Sequence, residues 1–174
     1  MQERGRRPPP ARAGDRGRLR AQPSSSFPRR RESRPRRKLI IQRASAATHI
    51  PSDATLRRWA KAALARDAKV TLRYVPESEG RRLNRKFRRK DYATNVLTFI
   101  YGTRPLEGDI VICAPVVARE AKAQGKPVEA HHAHLLVHGL LHLQGFDHER
   151  AADAKRMEGR ERAILAKLGF PDPY

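Results

Sequence analysis

The 174-residue sequence predicts an α+β fold: a single domain in which a small four-stranded sheet packs with about five helices. Strand-like and helix-like hydrophobic patterns alternate over the first part of this domain. Two strand-like segments then follow each other directly, and the last three helical segments are consecutive. This order differs from the alternation of a doubly wound parallel sheet, and the length is sufficient for one hydrophobic core.

A basic segment precedes the predicted domain. Residues 1–37 contain 13 arginines and three acidic residues, a net charge of +10, together with runs of proline and serine. The segment has almost no large apolar side chain, so it cannot bury enough surface to offset the entropy of ordering. We therefore predict a disordered basic extension over residues 1–37 and a folded domain over residues 38–174.

Three roles remain open for this extension. It is a solvated segment or an over-extended translation start, a basic arm that helps to hold nucleic acid, or an organelle transit peptide. Its many prolines oppose the amphipathic helix of a transit peptide. No apolar stretch follows the charges, which argues against a secretory signal.

The domain is predicted to open with a strand and a helix. The short apolar run Leu39–Ile41 indicates the strand. Pro51 marks the approach to the helix, and Ser52 or Asp53 is its N-cap. The spacing of the apolar residues then defines one helical face, which consists of Leu56, Trp59, Ala60, Ala63 and Leu64.

A second strand and a second helix follow. Apolar and polar residues alternate over residues 70–74, which predicts a half-buried strand. The next helix is predicted from Glu77 to about Phe87, with Leu83 and Phe87 facing inward and many basic residues facing outward.

Two adjacent strands are predicted next, at Thr94–Ile100 and Gly108–Cys113, because both segments are rich in β-branched or aromatic residues. Cys113 is interpreted as a small buried hydrophobic residue. Pro115 suits the first turn of a third helix, and Gly125 suits its end.

The last two helices are predicted from Pro127 to about Leu143 and from about Arg150 to Leu168, where Gly169 and a proline end the second of them. Apolar residues cover most of the circumference of the first of these helices. It is therefore expected to be the central, buried helix of the domain.

Composition excludes several classes of protein. A single cysteine rules out a disulfide framework and a thiolate metal cage. No apolar run reaches the roughly 18 residues that a membrane span needs. The formal net charge of +20 requires a basic tail, a surface that binds polyanions, or both.

Three histidines in and after the central helix have the spacing of metal ligands. His138 and His142 are four residues apart, so their imidazoles lie on one helical face. Gly145 can end the helix in a left-handed conformation, and His148 can then approach the same point from another direction. Three imidazoles without a fourth protein ligand are typical of an open catalytic metal site.

The donor set suits zinc, although the spacing does not exclude nickel or another divalent ion. The ligand positions coincide with those of zinc peptidases that carry H-E-x-x-H-x-x-G-x-x-H. Gly139, however, stands where those enzymes have their general-base glutamate. The sequence therefore predicts the metal geometry of these peptidases without their acid–base group.

Three further residues are candidates for supporting roles. His131 and His134 lie on the same helical stripe as the first two predicted ligands. They either line the approach to the metal, or act as hydrogen-bond donors to its ligands or as proton shuttles, or form a polar first turn near solvent. Asp147 either orients a ligand imidazole or caps a helix end.

Four segments carry a family resemblance. The sequence resembles the YbeY family of bacterial endoribonucleases, also described as rRNA maturation factors, in HGLLHLQGFDH (138–148), LNRKFRRKDYATNVLTF (83–99), GDIVIC (108–113) and EAHHAH (129–134). The resemblance spans roughly residues 70–174, which is most of the predicted domain, and it includes none of the extension. The resemblance implies a single α+β domain with a small mixed sheet and a helical layer.

The resemblance also implies functional residues. His138, His142 and His148 would hold one zinc ion, and Arg88 would be the functionally important arginine of the family. It further implies RNA cleavage in the cytoplasm, maturation of small-subunit rRNA, and ribosome quality control with the ribosomal subunit or its proteins as partners. Ala93 departs from the proline that the family often has there, which affects only the expected rigidity of the loop.

A basic run lies beside the predicted site. A phosphate-binding surface is expected from Arg81, Arg82, Arg85, Lys86, Arg88, Arg89 and Lys90. Such a surface attracts RNA with strong salt dependence and little reading of sequence. Arg88 is suited to stabilise the charge that develops on a phosphodiester, whether water or a neighbouring 2′-hydroxyl attacks.

Three functions follow from these observations. The first is a metal-dependent endoribonuclease of single-stranded RNA in rRNA processing. The second is a non-catalytic ribosome-assembly factor with a structural metal and a basic RNA-binding face. The third is a metallohydrolase of small molecules or peptides, against which Gly139 and the basic flank both argue.

Overall fold

The computed structural model describes residues 36–174, which contain four strands and five helices. The predicted disordered extension lies outside these residues except at its end. Arg37 begins the first strand and pairs with Ala68. The assignment of residue 37 to the extension is therefore wrong, because this residue is held in the sheet by its neighbouring strand.

The elements follow the order predicted from the sequence. They are β1 (Arg37–Arg43), α1 (Asp53–Ala63), β2 (Ala68–Val75), α2 (Glu77–Arg88), β3 (Val96–Thr103), β4 (Leu106–Cys113), α3 (Ala114–Ala123), α4 (Val128–Leu143) and α5 (Ala151–Leu168). None of these helices combines the length and the apolar character that a membrane span requires.

The four strands form one mixed sheet in the order β1-β2-β4-β3. β1 pairs parallel with β2, and β2 pairs parallel with β4. β3 pairs antiparallel with β4 at the edge of the sheet, with an irregularity between Ile100 and Gly102. The predicted α+β class is therefore confirmed: α1 connects two parallel strands, and the two adjacent strands form a hairpin.

Local sequence signals explain several helix ends. The Ser52 hydroxyl accepts a hydrogen bond from the backbone N–H of Thr55, so Ser52 is the N-cap of α1. Pro115 lies in the first turn of α3, and Gly125 follows its end with positive φ. α5 ends at Gly169, which also has positive φ.

The core surrounds α4, as the sequence predicted. Leu136, Leu140 and Leu141 of this helix are fully or almost fully buried, and α4 packs against α1, α3, α5, β3 and β4. Close approach to the sheet depends on two glycines. A Cβ atom on Gly139 would lie 3.1 Å from carbons of Ile110, and one on Gly108 would lie 2.4 Å from Leu143.

The orientation of Phe87 and the start of β3 differ from the sequence prediction. Phe87 does not face inward: 53% of its surface is exposed, and its ring meets that of Phe99 edge-to-face at 4.9 Å. β3 begins at Val96 rather than Thr94. The Asn95 side chain accepts a hydrogen bond from the N–H of Val96, so a side chain takes the place of a strand partner there.

Cys113 is buried, as predicted, and burial raises the pKa of its thiol. Its Sγ lies where a Cβ atom on Gly80 would approach to 3.2 Å, so the thiol fills the contact between β4 and α2. The residue therefore acts as a small core side chain.

Candidate metal centre

The three histidines of the predicted metal site lie together. His138 and His142 come from the last two turns of α4, and His148 comes from the segment between α4 and α5. One possible ligand atom from each lies within 4.8 Å of the others. The ring centroids are 4.6 Å apart for the first two, and His148 lies 5.4 and 4.8 Å from them.

The turn after α4 places His148. Gly145 has a φ of +91°, a backbone conformation that glycine adopts at little cost and other residues rarely adopt. The N–H of Phe146 then returns to the carbonyl of Leu141, and the Phe146 ring packs on the core. These contacts direct the following residues back toward the helix axis.

Gln144 anchors this turn to α1, a role that the sequence analysis missed. Its side-chain oxygen accepts from the N–H of Ala65, and its amide nitrogen donates to the carbonyls of Ala63 and Leu140. Because the end of α1 and the end of α4 are thereby tied together, the segment that carries His148 starts from a fixed point.

The environment keeps His142 in the form that binds metals. Burial, with the neighbouring rings of His138 and His148, lowers the pKa of His142 to about 4. The imidazole is therefore neutral at physiological pH, and a neutral imidazole has the lone pair that a metal ligand needs. The donor set is three nitrogens, so these residues fit zinc or a similar divalent ion.

Glu161 of α5 completes the surroundings of the site and was not predicted. Its side chain is fully buried, yet its Oε1 lies 2.8 Å from Nδ1 of His138 and its Oε2 lies 3.1 Å from Nε2 of His134. The hydroxyl of Tyr174 also donates to Oε2. A carboxylate on the buried stripe of α5, between Met157 and Leu165, is the sequence signal that points to it.

The hydrogen-bond partners of Glu161 determine the charge of its carboxyl group. Burial would raise the pKa of Glu161, but the hydrogen bonds from His134, His138 and Tyr174 outweigh burial and lower the pKa to about 2. The carboxylate is therefore charged inside the protein, next to a predicted metal ligand.

The remaining candidate side chains have different partners. His134 bonds to Glu161, whereas Nε2 of His131 lies 2.8 Å from Oε2 of Glu120. Asp147 accepts a hydrogen bond from the N–H of His148, and its carboxylate lies 3.8 Å from Nδ1 of that residue. Asp147 therefore holds the backbone of His148 and places a negative charge beside its ring.

A cleft of about 460 Å³ joins the histidines to Arg88. It is lined by Arg88 from the end of α2, by Asn95 and Thr98 near β3, and by His138, His142 and His148. Arg88 is the member of the predicted basic run that lines this cleft. The structure therefore places one guanidinium and three imidazoles around the same space.

The other cations of the run lie outside the cleft lining. Arg81 forms a 2.8 Å ion pair with Asp91. The remaining ones, Arg82, Arg85, Lys86, Arg89 and Lys90, are exposed on α2 and the residues after it. They form a charged surface beside the cleft, to which Arg81 contributes less because its charge is paired.

A family model described as Endoribonuclease YbeY matches residues 41–169 of the chain. The chain belongs to the YbeY family. The matched residues span all of the described domain except its two ends, and they contain Arg88, the three clustered histidines and Glu161. The family predicted from the sequence motifs is therefore confirmed.

Relatives in the YbeY family are similar over most of their length. The Endoribonuclease YbeY of Aromatoleum aromaticum is 60% identical, over 78% of this chain and 91% of the relative. Those of Nitrosospira multiformis and Thiobacillus denitrificans are 55% and 56% identical, over 79% and 80% of this chain and 81% and 97% of the relatives.

A solution structure of TM1509 from Thermotoga maritima has a TM-score of 0.47 and 22% identity, over 77% of this chain and 98% of that one.

Proposed function

We propose that this protein is a zinc-dependent endoribonuclease that matures small-subunit rRNA, with the ion held by His138, His142 and His148. The observation that carries the proposal is the shared cleft: Arg88 and the three imidazoles surround one space of about 460 Å³. A phosphodiester placed there meets a cation and a metal-binding group together.

Membership of the YbeY family gives the class of enzyme. The chain is a metal-dependent endoribonuclease, so its substrate is RNA, and the alternative of a non-catalytic assembly factor is not favoured. The identity of the metal, the choice of rRNA, the ribosomal partners and the cytoplasmic location belong to the proposal. Zinc is preferred because three nitrogens and an open position suit it, with nickel as the alternative.

The three clustered histidines and Arg88 have separate roles in the proposed reaction. A divalent ion held by these histidines would supply Lewis acidity, either for activation of water or for polarisation of a phosphoryl oxygen. Arg88 binds the non-bridging oxygens of the scissile phosphate and stabilises the charge that grows on them. This role is the same whether water or the 2′-hydroxyl is the nucleophile. The neutral imidazole of His142 holds its ligand position without a competing proton.

The exposed cations of α2 support RNA binding outside the cleft. They lie on the same helix as Arg88 and on the residues that follow it, so a strand whose scissile phosphate reaches Arg88 also passes these side chains. Contacts of this kind neutralise phosphates without reading bases. Specificity for rRNA then comes from RNA shape or from ribosomal proteins.

The test combines metal analysis with an RNA cleavage assay of purified protein. We expect stoichiometric zinc in the wild type, loss of zinc and activity in His138→Ala, and retained zinc in Arg88→Ala with kcat lower by a factor of about 10²–10³. Arg82→Ala is the matched control, because Arg82 is an exposed cation of the same helix that does not line the cleft. It is expected to change RNA affinity at low salt and leave kcat near the wild-type value.

Two results would contradict the proposal. Equal cleavage by the wild type, His138→Ala and Arg88→Ala would identify the activity as a contaminant. Peptide hydrolysis that follows protein and metal content would instead favour a peptidase. Gly139 stands where zinc peptidases carry their general-base glutamate, and it packs so closely on Ile110 that a side chain there would have to displace Ile110.

A further inference from the structure

Glu161 is the one fully buried carboxylate in residues 36–174, and it lies against the predicted metal centre. An isolated buried carboxylate is costly, so its presence requires specific partners. Its partners are His138, His134 and Tyr174, which come from α4 and from the segment after α5. Met157 and Leu165, one turn before and after it on α5, are buried apolar residues.

The contact with His138 defines which ring nitrogen is free. Nδ1 of His138 lies 2.8 Å from Oε1 of Glu161. An ionised carboxylate only accepts hydrogen bonds, so Nδ1 carries the proton and donates it. The proton on Nδ1 leaves the lone pair of the neutral ring on Nε2, and Nε2 is the atom available to an ion shared with His142 and His148.

We propose that Glu161 is the positioning residue of the metal centre: through its hydrogen bond it fixes the tautomer and orientation of His138, and so sets the affinity of the site for its ion. The inference rests on the proposed metal site. The carboxylate also makes the imidazole a stronger donor, as carboxylates behind ligand histidines do.

The other two contacts keep the carboxylate in place. His134 and Tyr174 both reach Oε2, while Oε1 is left to His138. Tyr174 is held in turn by the guanidinium of Arg162, which lies 4.8 Å from the centre of its ring. Tyr174, in the segment after α5, and the proposed metal ligand His138 therefore contact the same carboxylate.

The structure offers a matched control for this role. Glu120 lies 2.8 Å from Nε2 of His131, which is another histidine of α4 but is not one of the three clustered ligands. Glu161 and Glu120 thus make the same kind of contact with the same helix. They differ in whether the histidine is a proposed metal ligand.

The experiment measures zinc affinity of the full chain by competition with a chelator, without RNA. Glu161→Gln keeps the shape of the side chain and removes its charge, and we expect zinc binding to weaken by about 10- to 100-fold. Glu120→Gln is expected to bind zinc as the wild type does. The absorption spectrum of the Co²⁺-loaded protein should change in Glu161→Gln alone, because it reports ligand geometry and is insensitive to general stability.

Tyr174→Phe provides a second test at an exposed residue. It removes one hydrogen bond to the carboxylate and is expected to weaken zinc binding by a smaller factor than Glu161→Gln. If Glu161→Gln does not fold, the zinc affinity of Tyr174→Phe tests the inference in its place. Wild-type zinc affinity in the folded Glu161→Gln, or in Tyr174→Phe when the former is unfolded, would overturn the inference. Absence of zinc binding by the wild type would instead overturn the proposed function.

Discussion

Five histidines lie on α4, and their neighbours give them different properties. His138 and His142 face the cleft, His134 and His131 bond to carboxylates, and His132 is fully buried in the core. Residue type alone therefore does not define a role on this helix. The polar or apolar surroundings of each ring decide whether it is a ligand, a donor or a core residue.

His132 predicts a specific pH dependence of stability. Burial, with the nearby rings of His49 and His131, lowers the pKa of His132 to about 3, and Tyr74 is its other polar neighbour. In the unfolded chain the pKa returns to about 6.5, so between these values the unfolded state binds more protons. Acidification from pH 7 to 5 should therefore cost about 2 kcal/mol of stability through this residue alone.

Denaturant unfolding of the wild type and His132→Asn at several pH values measures this effect. Asparagine does not titrate, so the variant should lose about 2 kcal/mol less than the wild type between pH 7 and 5. Both proteins carry the same three proposed metal ligands, so any release of metal affects the two equally. Parallel pH profiles would show that His132 does not titrate differently in the folded and unfolded states.

At the level of elements, the contact between α4 and the sheet depends on the absence of two side chains. A Cβ atom on Gly108 would lie 2.5 Å from the carbonyl oxygen of Phe99 and 2.4 Å from Leu143. The leucine can move, but the carbonyl belongs to the β3–β4 pairing. The close packing of α4, which carries His138, against the β3–β4 hairpin therefore depends on Gly108.

Gly108→Ala is expected to lower the free energy of unfolding by about 2–3 kcal/mol, because overpacking at this contact forces the backbone to shift. Gly159→Ala is the control: this glycine lies inside α5 with no atom within 4 Å of the added Cβ. Alanine should stabilise the helix there by about 0.5–1 kcal/mol. Urea denaturation measures both, and a Gly108→Ala variant as stable as the wild type would refute the packing argument.

For the molecule as a whole, charge is divided between two parts of the chain. Residues 1–35 contain 11 arginines and three acidic residues, a net charge of +8, and the remaining +12 belongs to residues 36–174. The exposed cations of α2 and the loop after it lie close to the cleft that holds Arg88. The domain therefore carries its own electrostatic attraction for RNA, to which the preceding residues add.

Deletion of residues 1–35 should leave zinc content and thermal stability unchanged, because β1 begins at Arg37 and the core lies within the described domain. RNA affinity should fall at low salt, and the dependence of affinity on salt should become weaker, since fewer counterions are released. Replacement of Arg29, Arg30 and Arg31 by glutamine in the full chain is the charge control. A sharp loss of thermal stability on deletion would show that these residues stabilise the domain.

Much of the fold could be predicted from local sequence patterns. Hydrophobic patterns, β-branched and aromatic content, and proline and glycine signals together predicted every strand and helix of the described domain in its order, and caps such as Ser52 mark their ends. The spacing of His138, His142 and His148 also predicted their proximity, because helical geometry and one glycine turn act over a few residues. These signals are local in the chain, so the sequence contains them directly.

Contacts between residues that are far apart in the sequence could not be predicted from local patterns. Glu161 contacts His138, which lies 23 residues earlier in the sequence. Arg88 lines the same cleft as His138, about 50 residues later in the sequence, whereas the other cations of its basic run do not line it. Periodicity shows which face of a helix is apolar, but it does not show which other element that face meets. Packing of α5 on α4 places Glu161 behind the proposed metal centre. Packing of both α2 and α4 against β4 brings Arg88, alone among the seven cations of the run, to the lining of the cleft.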